Sequence, residues 1–213
     1  MSEPISPQRR RRVQQRAIDT RQLLLDATVQ VLVEQGYAQF STLAVGEAAG
    51  VTRGRLVHHF PTKQSLIEAT LDHLVEQYTA RAPQRREMIV NGPPEGRIVR
   101  ALDLLWSLKR SREYQACLEL MAGARGDAEL RGALHRFEQR LNEELATVIR
   151  RLVGPVADRP GFGASVLTAV SAMRGLLLVA RAIGLDDGEL EAEWSAVRER
   201  LVLVFREYDP EGV

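Results

Sequence analysis

Three helix-ending residues lie close together in the N-terminal third of the chain and divide it into short helices. Gly36 follows a helical stripe, Gly50 follows two alanines, and Pro61 interrupts the next stretch. Glycine tolerates the left-handed conformation that ends a helix, and proline lacks the N–H that a helix interior needs. The segment between Gly36 and Pro61 therefore holds two short helices joined by the turn "AAGVT", with a longer helix on either side.

Start signals precede two of these helices, the first short one and the helix after Pro61. Ser41 is placed to cap the first short helix, and Thr62 is placed to cap the helix after Pro61. A single apolar stripe predicts the helix that begins near Thr20, formed by Leu24, Ala27, Val31 and Leu32. Three helices in about 40 residues, the last two joined by a tight turn, match a helix-turn-helix. In that motif the second helix enters the DNA major groove with its N-terminal end first.

The rest of the chain is predicted to be helical as well. No run alternates apolar and polar residues in the way that an exposed strand requires. Pro83 and "NGPPEG" (91–96) are the clearest breaks. Helical spacing predicts further helices at about 95–110, 112–123, 127–153, 163–184 and 188–208. We therefore expect an all-α protein of about nine helices.

Basic residues are concentrated at the N-terminal end. The formal net charge of the chain is +1, but residues 1–65 hold nine Lys/Arg and five Asp/Glu, a net charge of +4. Residues 1–19 include Arg9–Arg12 and Arg16 and are predicted to form a flexible basic arm. This distribution favours a head that binds a polyanion, while chance and a solvated tail are the alternative.

The second short helix divides into an inner and an outer face. Leu56 and Phe60 share one side and are predicted to face the core, whereas Gly54 and His58 lie nearly opposite. Arg55 flanks the outer face, where a guanidinium can read guanine O6 and N7. Gly54 lets the backbone come close to DNA. The outer face therefore has the chemistry of a groove-reading surface.

The adjacent pair His58–His59 invites a metal-site interpretation, which geometry disfavours. Neighbouring residues on a helix point about 100° apart, so the two rings do not converge on one ion. No cysteine or third histidine has zinc-site spacing, because His73 and His135 stand alone. We expect no metal and no cofactor. His58 is predicted to reach a base edge or a phosphate, and for His59 capping or packing is as good an explanation as DNA contact.

The N-terminal segment resembles the DNA-binding domain of TetR-family transcriptional regulators. The resemblance covers Thr20 to about Leu74, in the order "TRQLLLDA…EQGYAQFSTLAVGEAAGVTRGRLVHHFPTKQSLIEA". It implies an all-α homodimer that binds a palindromic operator in double-stranded DNA. It also implies that a small molecule bound in the body releases the DNA.

Carried over by position, the resemblance implies DNA contacts at specific residues. Together with the arginine arm and the Ser41 cap, the predicted DNA-binding set is Arg11, Arg12, Ser41, Thr42, Thr52, Arg53, Gly54, Arg55, His58, His59 and Lys63. The sequence departs from the family at Val57, where most members carry a tyrosine. Valine cannot donate to a phosphate, so this contact is replaced or lost, and a thymine methyl group is the alternative target.

The body after the head shows no catalytic motif. It has no Gly-rich phosphate loop and no G-x-S-x-G elbow, so we expect no enzyme. A small apolar or amphipathic effector is predicted to bind among Trp106, Tyr114, Cys117, Leu118, Met121, Phe137 and Met173. Ordinary core packing is the alternative for each. A constitutive DNA-binding regulator without an effector is the alternative function.

Two apolar stripes near the C-terminus predict a homodimer. Pairing two such helices from each chain about a two-fold axis makes a four-helix bundle. The predicted interface is Val166, Val170, Met173, Leu177, Trp194, Val197, Leu201 and Phe205. Completion of a monomer core is the alternative.

The remaining expectations concern domains and location. We predict a basic arm at 1–19, a DNA-binding domain at 20–66, and an effector-binding and dimerisation domain at 67–213. Cys117 is the only cysteine, so no intramolecular disulfide can form, which is typical of the reducing cytoplasm. No apolar run approaches the ~18 residues of a membrane helix, and no apolar N-terminal segment indicates a signal peptide.

Overall fold

The computed structural model describes residues 7–80, 87, 93 and 96–208, including all side chains except those of residues 7, 9–13 and 78–80. Their regular structure is helical, and the predicted all-α class is confirmed. The α-helices bounded within these residues are α1 Pro7–Gln39, α2 Thr42–Ala48, α3 Arg53–His59, α4 Lys63–Ala80, α5 Arg97–Lys109, α6 Arg112–Gly123, α7 Ala128–Val153, α8 Phe162–Ile183 and α9 Asp187–Arg206. Two short 3₁₀-helices lie at Ala124–Gly126 and Gly154–Asp158.

The chain divides into two compact units. Unit 1 consists of Met1–Leu74 and Ala116–Phe137, and unit 2 consists of Val75–Gln115 and Glu138–Val213. All the dividing points lie inside helices, so the units are defined by packing and not by linkers. The predicted functional boundary after residue 66 stays a prediction.

The helix ends of unit 1 lie where the local signals place them. Gly36 has φ 74° and bends α1 out of helical geometry. The Ser41 hydroxyl accepts a hydrogen bond from the Ala44 backbone N–H at 3.2 Å. Thr62 and Ser65 exchange two bonds, because each hydroxyl accepts from the other residue's backbone N–H. Such reciprocal bonds satisfy donors that a helix start leaves unpaired.

The described part of the predicted basic arm is helical, and its flexibility stays a prediction. Helix α1 begins at Pro7, so the backbone of residues 7–19 is helical. The Gln15 amide donates to Asp19 at 2.8 Å, one helical turn later. Arginine and glutamine are good helix formers, and no glycine or proline interrupts the chain between Pro7 and Gly36. The predicted contacts of Arg11 and Arg12 concern side chains that lie outside those described.

Unit 2 is built on the packing of α5, α8 and α9. The rings of Trp106 and Trp194 stack with centroids 4.6 Å apart. Asp103 accepts hydrogen bonds from the Trp194 indole N–H at 3.3 Å and from Arg198 at 2.9 Å. Helix α9 begins with a capping box, in which Asp186 and Glu189 each accept a backbone N–H from the other. Aromatic stacking and paired charges therefore join α5 to α9.

Helix α8 corrects one sequence-based expectation. Its length and composition meet those of a membrane-spanning helix, with only Arg174 and Arg181 charged. Arg174 and Arg181 interrupt its apolar run, and the sequence therefore predicts no such segment. Of the most apolar 18-residue stretch of α8, only 28% of the residues are buried inside the chain. The helix therefore carries both an inner and an outer apolar face.

The end of α1 and the end of α6 come very close together within unit 1. A Cβ atom added at Gly123 would lie 2.0 Å from Cδ1 of Tyr37. The Tyr37 hydroxyl donates to the Asp127 carboxylate at 2.9 Å. Burial, followed by this bond, raises the pKa of Tyr37 to about 12. Gly123 is therefore required for the ring to lie in this position.

We predict that Gly123→Ala lowers the stability of the protein by about 1–3 kcal/mol, because the added methyl group overpacks the Tyr37 ring. Thermal unfolding followed by circular dichroism measures the change. Gly126→Ala is the matched control, since an added Cβ there meets nothing within 4 Å. Equal melting temperatures for the two variants would contradict the prediction.

Candidate nucleic-acid interface

Helix α3 presents a short exposed surface on a buried anchor. The Thr52 hydroxyl caps it by accepting from the Arg55 backbone N–H. Leu56 and Phe60 are 2% and 3% exposed, as their helical spacing predicts. The outward residues are Arg53, Gly54, Arg55, Val57 and His58, all of them exposed. The inner pair thus fixes which way the outer face points.

Arg55 is tied to the first helix. Its Nη2 donates to the Thr20 hydroxyl at 2.7 Å, and that hydroxyl donates to the Arg16 carbonyl at 2.7 Å. Thr20 is 7% exposed, so the bond ends in the core. A guanidinium carries five N–H donors, and the remaining donors can still face DNA. Arg55 therefore positions α3 on α1, whatever else it contacts.

His58 and His59 do not form one site. Their ring centroids are 5.5 Å apart in an edge-on arrangement, and His58 is exposed whereas His59 is partly buried. Burial, followed by the charges of His58, Arg55 and Arg21, lowers the pKa of His59. His59 therefore favours its neutral form and lies beside the Phe60 ring.

Lys63 lies over two aromatic rings. Its Nζ is 4.4 Å from the Tyr37 ring centroid and 5.2 Å from that of Phe40. The backbone N–H of Leu130, then the Tyr37 hydroxyl, lower the pKa of Asp127, and the charge of Lys63 adds to the effect. A Lys63 contact with phosphate stays a prediction, and it would require the ammonium to extend past this aromatic support.

Four predicted residues line one groove. An open groove of about 630 Å³ lies between α2 and the start of α3. It is lined by the predicted residues Ser41, Thr42, Thr52 and Arg53, together with the exposed Leu43. Gly54, Arg55, His58, His59 and Lys63 are not among its lining residues. The predicted DNA-binding residues from Ser41 to Lys63 therefore lie in one unit, and four of them share this groove.

Sequence reasoning missed the residues that hold this surface from a distance. Thr20 bonds Arg55, Arg21 lies 5.2 Å above the Phe60 ring, and Tyr37 reaches Asp127. These partners are 35, 39 and 90 residues apart. No local pattern marks contacts of that range.

The predicted effector residues divide between the units. Trp106, Tyr114 and Met173 lie in unit 2, whereas Cys117, Leu118, Met121 and Phe137 lie in unit 1. All but Met121 are buried. Tyr114 accepts a hydrogen bond from Arg174 at 3.0 Å, and its ring contacts Lys109. Unit 2 also has a small apolar cavity, and none of the seven predicted residues lines it.

Most of the predicted dimer residues lie on the inner faces of their helices. Val166 and Val197 are partly buried, and the other six are buried within one chain: Val170, Met173, Leu177, Trp194, Leu201 and Phe205. Side chains packed inside a chain are not available to a partner. Both helices have apolar residues on two faces, and the stripe chosen from the sequence is the inner one.

Comparison with known proteins connects this geometry to one family. A family model described as bacterial regulatory proteins, tetR family, matches residues 24–70. CymR, an HTH-type transcriptional regulator of Pseudomonas putida, is 37% identical over 136 residues. That match covers 64% of this chain and 66% of CymR, just under two thirds of its length. TtgR, also from Pseudomonas putida, is 33% identical over 81 residues, which are 37% of this chain and 39% of TtgR.

Solved structures show the same fold over most of the chain. A transcriptional regulator from Rhodococcus sp. Rha1 aligns with a TM-score of 0.65 and 21% identity, covering 88% of this chain and 96% of that one. NemR of E. coli in its reduced form aligns with a TM-score of 0.61 and 17% identity, covering 84% and 96%. The fold is therefore shared well beyond the matched N-terminal segment.

We predict that Thr20→Val weakens binding to a selected DNA duplex about 3- to 10-fold, because Arg55 loses the acceptor that holds α3 against α1. Titration of labelled duplex by fluorescence anisotropy measures the affinity. Thr28→Val is the matched control: Thr28 is also buried in α1 and donates to a carbonyl one turn back, that of Leu24. A Thr20 variant that binds as tightly as the Thr28 variant would rule out this role.

Proposed function

Because the chain belongs to the TetR family of DNA-binding transcriptional regulators, we propose that it represses transcription as a homodimer on a palindromic operator, and that a small amphipathic molecule releases it. The observation that carries the DNA-binding part is the face of α3. Its inner residues Leu56 and Phe60 are buried, and its outer residues include two arginines and His58. A capped, anchored helix with an exposed basic face has the form of a major-groove reader.

The proposed dimer surface is the outer face of α8 and α9. The exposed large apolar side chains of unit 2 are Leu167, Leu178, Val179, Ile183, Leu203 and Val204. The first four lie on α8 and the last two on α9. Small residues such as Ala164 and Gly175 are exposed on the same helix and permit close helix approach. Exposed apolar side chains concentrated on two helices are typical of an association surface.

The proposed effector chemistry follows from two buried polar atoms in unit 2. Among the described residues, Trp106 Nε1 and Glu138 Oε1 are buried with no hydrogen-bond partner. The other Glu138 oxygen accepts from Arg174 at 2.8 Å. Buried polar groups are paired in most proteins, and each unpaired one costs about 1–3 kcal/mol. A ligand acceptor would satisfy the Trp106 N–H, and a ligand donor would satisfy the Glu138 oxygen.

An apolar cavity lined in part by α5, the helix that carries Trp106, supports an amphipathic effector. It measures about 50 Å³, and its lining includes Leu102 of α5, with Phe162 and Phe205. That volume exceeds the roughly 10–15 Å³ that one water needs and falls below the ~300 Å³ of a complete ligand site. Leu102 and Trp106 lie one turn apart on the buried side of α5. We propose that an alkyl group enters the cavity and that a polar group reaches Trp106.

Selection of bound duplexes from a random DNA pool tests the proposed function. We expect the full-length protein to enrich one palindrome whose half-sites lie about one helical turn, ~34 Å, apart. A non-palindromic motif would contradict dimeric readout, and no enrichment at all would overturn sequence-specific DNA binding.

We predict that Leu178→Glu converts the dimer to a monomer, because pairing would bury the new carboxylates in an apolar interface. Size-exclusion chromatography with light scattering measures the mass. Leu23→Glu is the matched control, since Leu23 is an exposed leucine of similar accessibility on α1. The Leu178 variant should also lose affinity for the selected palindrome. Retention of dimer mass would place the interface elsewhere.

We predict that Trp106→Phe abolishes most of the response to an effector found by thermal-shift screening of amphipathic compounds. The effector raises the melting temperature because it binds only the folded state. Trp194→Phe is the control, because the Trp194 N–H already bonds Asp103. The measured quantity is the shift in melting temperature for each variant, alongside release of labelled operator. A full shift in the Trp106 variant would exclude its N–H from the effector site.

A further inference from the structure

The only large apolar side chain that α3 exposes is Val57. It is 46% exposed, whereas its neighbour Leu56 is 2% exposed. The other outward residues of α3 are arginines, histidine and glycine. An isolated valine on a soluble surface needs no explanation. This one lies on the helix that the proposed function places in the major groove, where each apolar group faces a base edge or water.

The surroundings of Val57 leave it open to a close partner. Gly54 lies one helical turn before it, and a Cβ added at Gly54 would meet nothing within 4 Å. The backbone of α3 can therefore approach DNA closely at this turn. His58 follows Val57 and is exposed, so a polar group borders the apolar one. The outer face at this turn is thus shallow, with two methyl groups as its apolar feature.

The stiffness of valine makes it a selective contact. A β-branched side chain in a helix has one strongly preferred χ1 rotamer, so its methyl groups are held in place without loss of entropy on binding. In the major groove, only thymine among the four bases presents a methyl group, at C5. Uracil forms the same base-pair hydrogen bonds and lacks that methyl group. An apolar contact there distinguishes thymine from uracil.

We infer that Val57 reads the C5-methyl group of one thymine in each operator half-site. The inference rests on the proposed function, since it requires α3 to lie in the major groove of a specific site. It makes Val57 a specificity-determining residue, distinct from the charged residues that attract phosphate. The contact between Val57 and the thymine methyl group replaces the phosphate contact expected at this position from the family resemblance.

Uracil scanning of the operator tests the inference. The palindrome recovered from the random pool is synthesised with one thymine at a time replaced by uracil, symmetrically in both half-sites. Burying one methyl group contributes about 0.8 kcal/mol, which is about a fourfold change in affinity for one half-site. We expect one thymine position at which the double replacement weakens wild-type binding by about 15-fold.

Two variants assign that loss to a residue. Val57→Ala should bind the thymine operator more weakly than wild type and should lose most of its discrimination against uracil at that position. Leu23→Ala is the control, because Leu23 is an exposed apolar residue of similar accessibility in the same unit, on α1 and not on α3. It should keep the full discrimination. Circular dichroism melting confirms that both half-exposed truncations leave the fold intact.

The outcomes separate the inference from the function on which it rests. Discrimination that is present in the wild-type protein and the Leu23 variant and absent in the Val57 variant supports the inference. If no uracil replacement weakens wild-type binding, or if Val57→Ala discriminates as wild type does, the inference is overturned while DNA binding stands. If the pool yields no enriched sequence, the proposed function fails and the inference fails with it.

Discussion

The DNA-facing surface depends on the burial of two side chains, Leu56 in the seven-residue helix α3 and Phe60 directly after it. An isolated helix of that length is not stable in water, because nucleation costs more than so few hydrogen bonds return. Helix α3 exists because its inner face is packed. The Thr52 cap and the Arg55–Thr20 bond then fix its start and its orientation on α1. Each exposed residue of α3 takes its direction from this anchor.

Unit 1 also includes a segment that is distant in sequence from the DNA-facing helices. Residues 116–137 pack with residues 7–74, and Tyr37 is the clearest point of contact. Its ring lies against Gly123, its hydroxyl bonds Asp127, and its face supports Lys63. The start of α4 and the junction between α6 and α7 therefore share one aromatic residue. A displacement of that junction would therefore move the Tyr37 side chain at the end of α1.

The helix boundaries of the head were predictable because their causes are local. Ser41, Thr52 and Thr62 act within three residues of their own positions, and Gly36 needs only its own backbone freedom. The basic arm was predicted from its charge, and its described part is helical. Charge density suggested disorder, whereas the absence of any breaker let α1 extend back to Pro7.

The candidate site was predictable only in part. The inward direction of Leu56 and Phe60 followed from helical geometry. The Arg55–Thr20 and Tyr37–Asp127 bonds join residues 35 and 90 apart, and no spacing rule indicates them. The effector residues were chosen as a set of aromatic and sulfur side chains, but packing divides that set between two units. Composition identifies core-forming residues without indicating which of them pack together.

Helix α8 shows why an apolar pattern alone does not indicate which face of a helix binds a partner chain. An amphipathic helix has one apolar stripe, and its direction is unambiguous. Helix α8 has an inner stripe that includes Met173 and Leu177 and an outer one that includes Leu167 and Leu178. One of its two arginines, Arg174, is held by Glu138 and Tyr114. Water contact with the outer stripe is unfavourable. Pairing two copies about a two-fold axis buries the outer stripe of both chains against each other. The membrane-like composition of α8 and the proposed dimer therefore have one physical origin, an apolar face that a single chain leaves exposed.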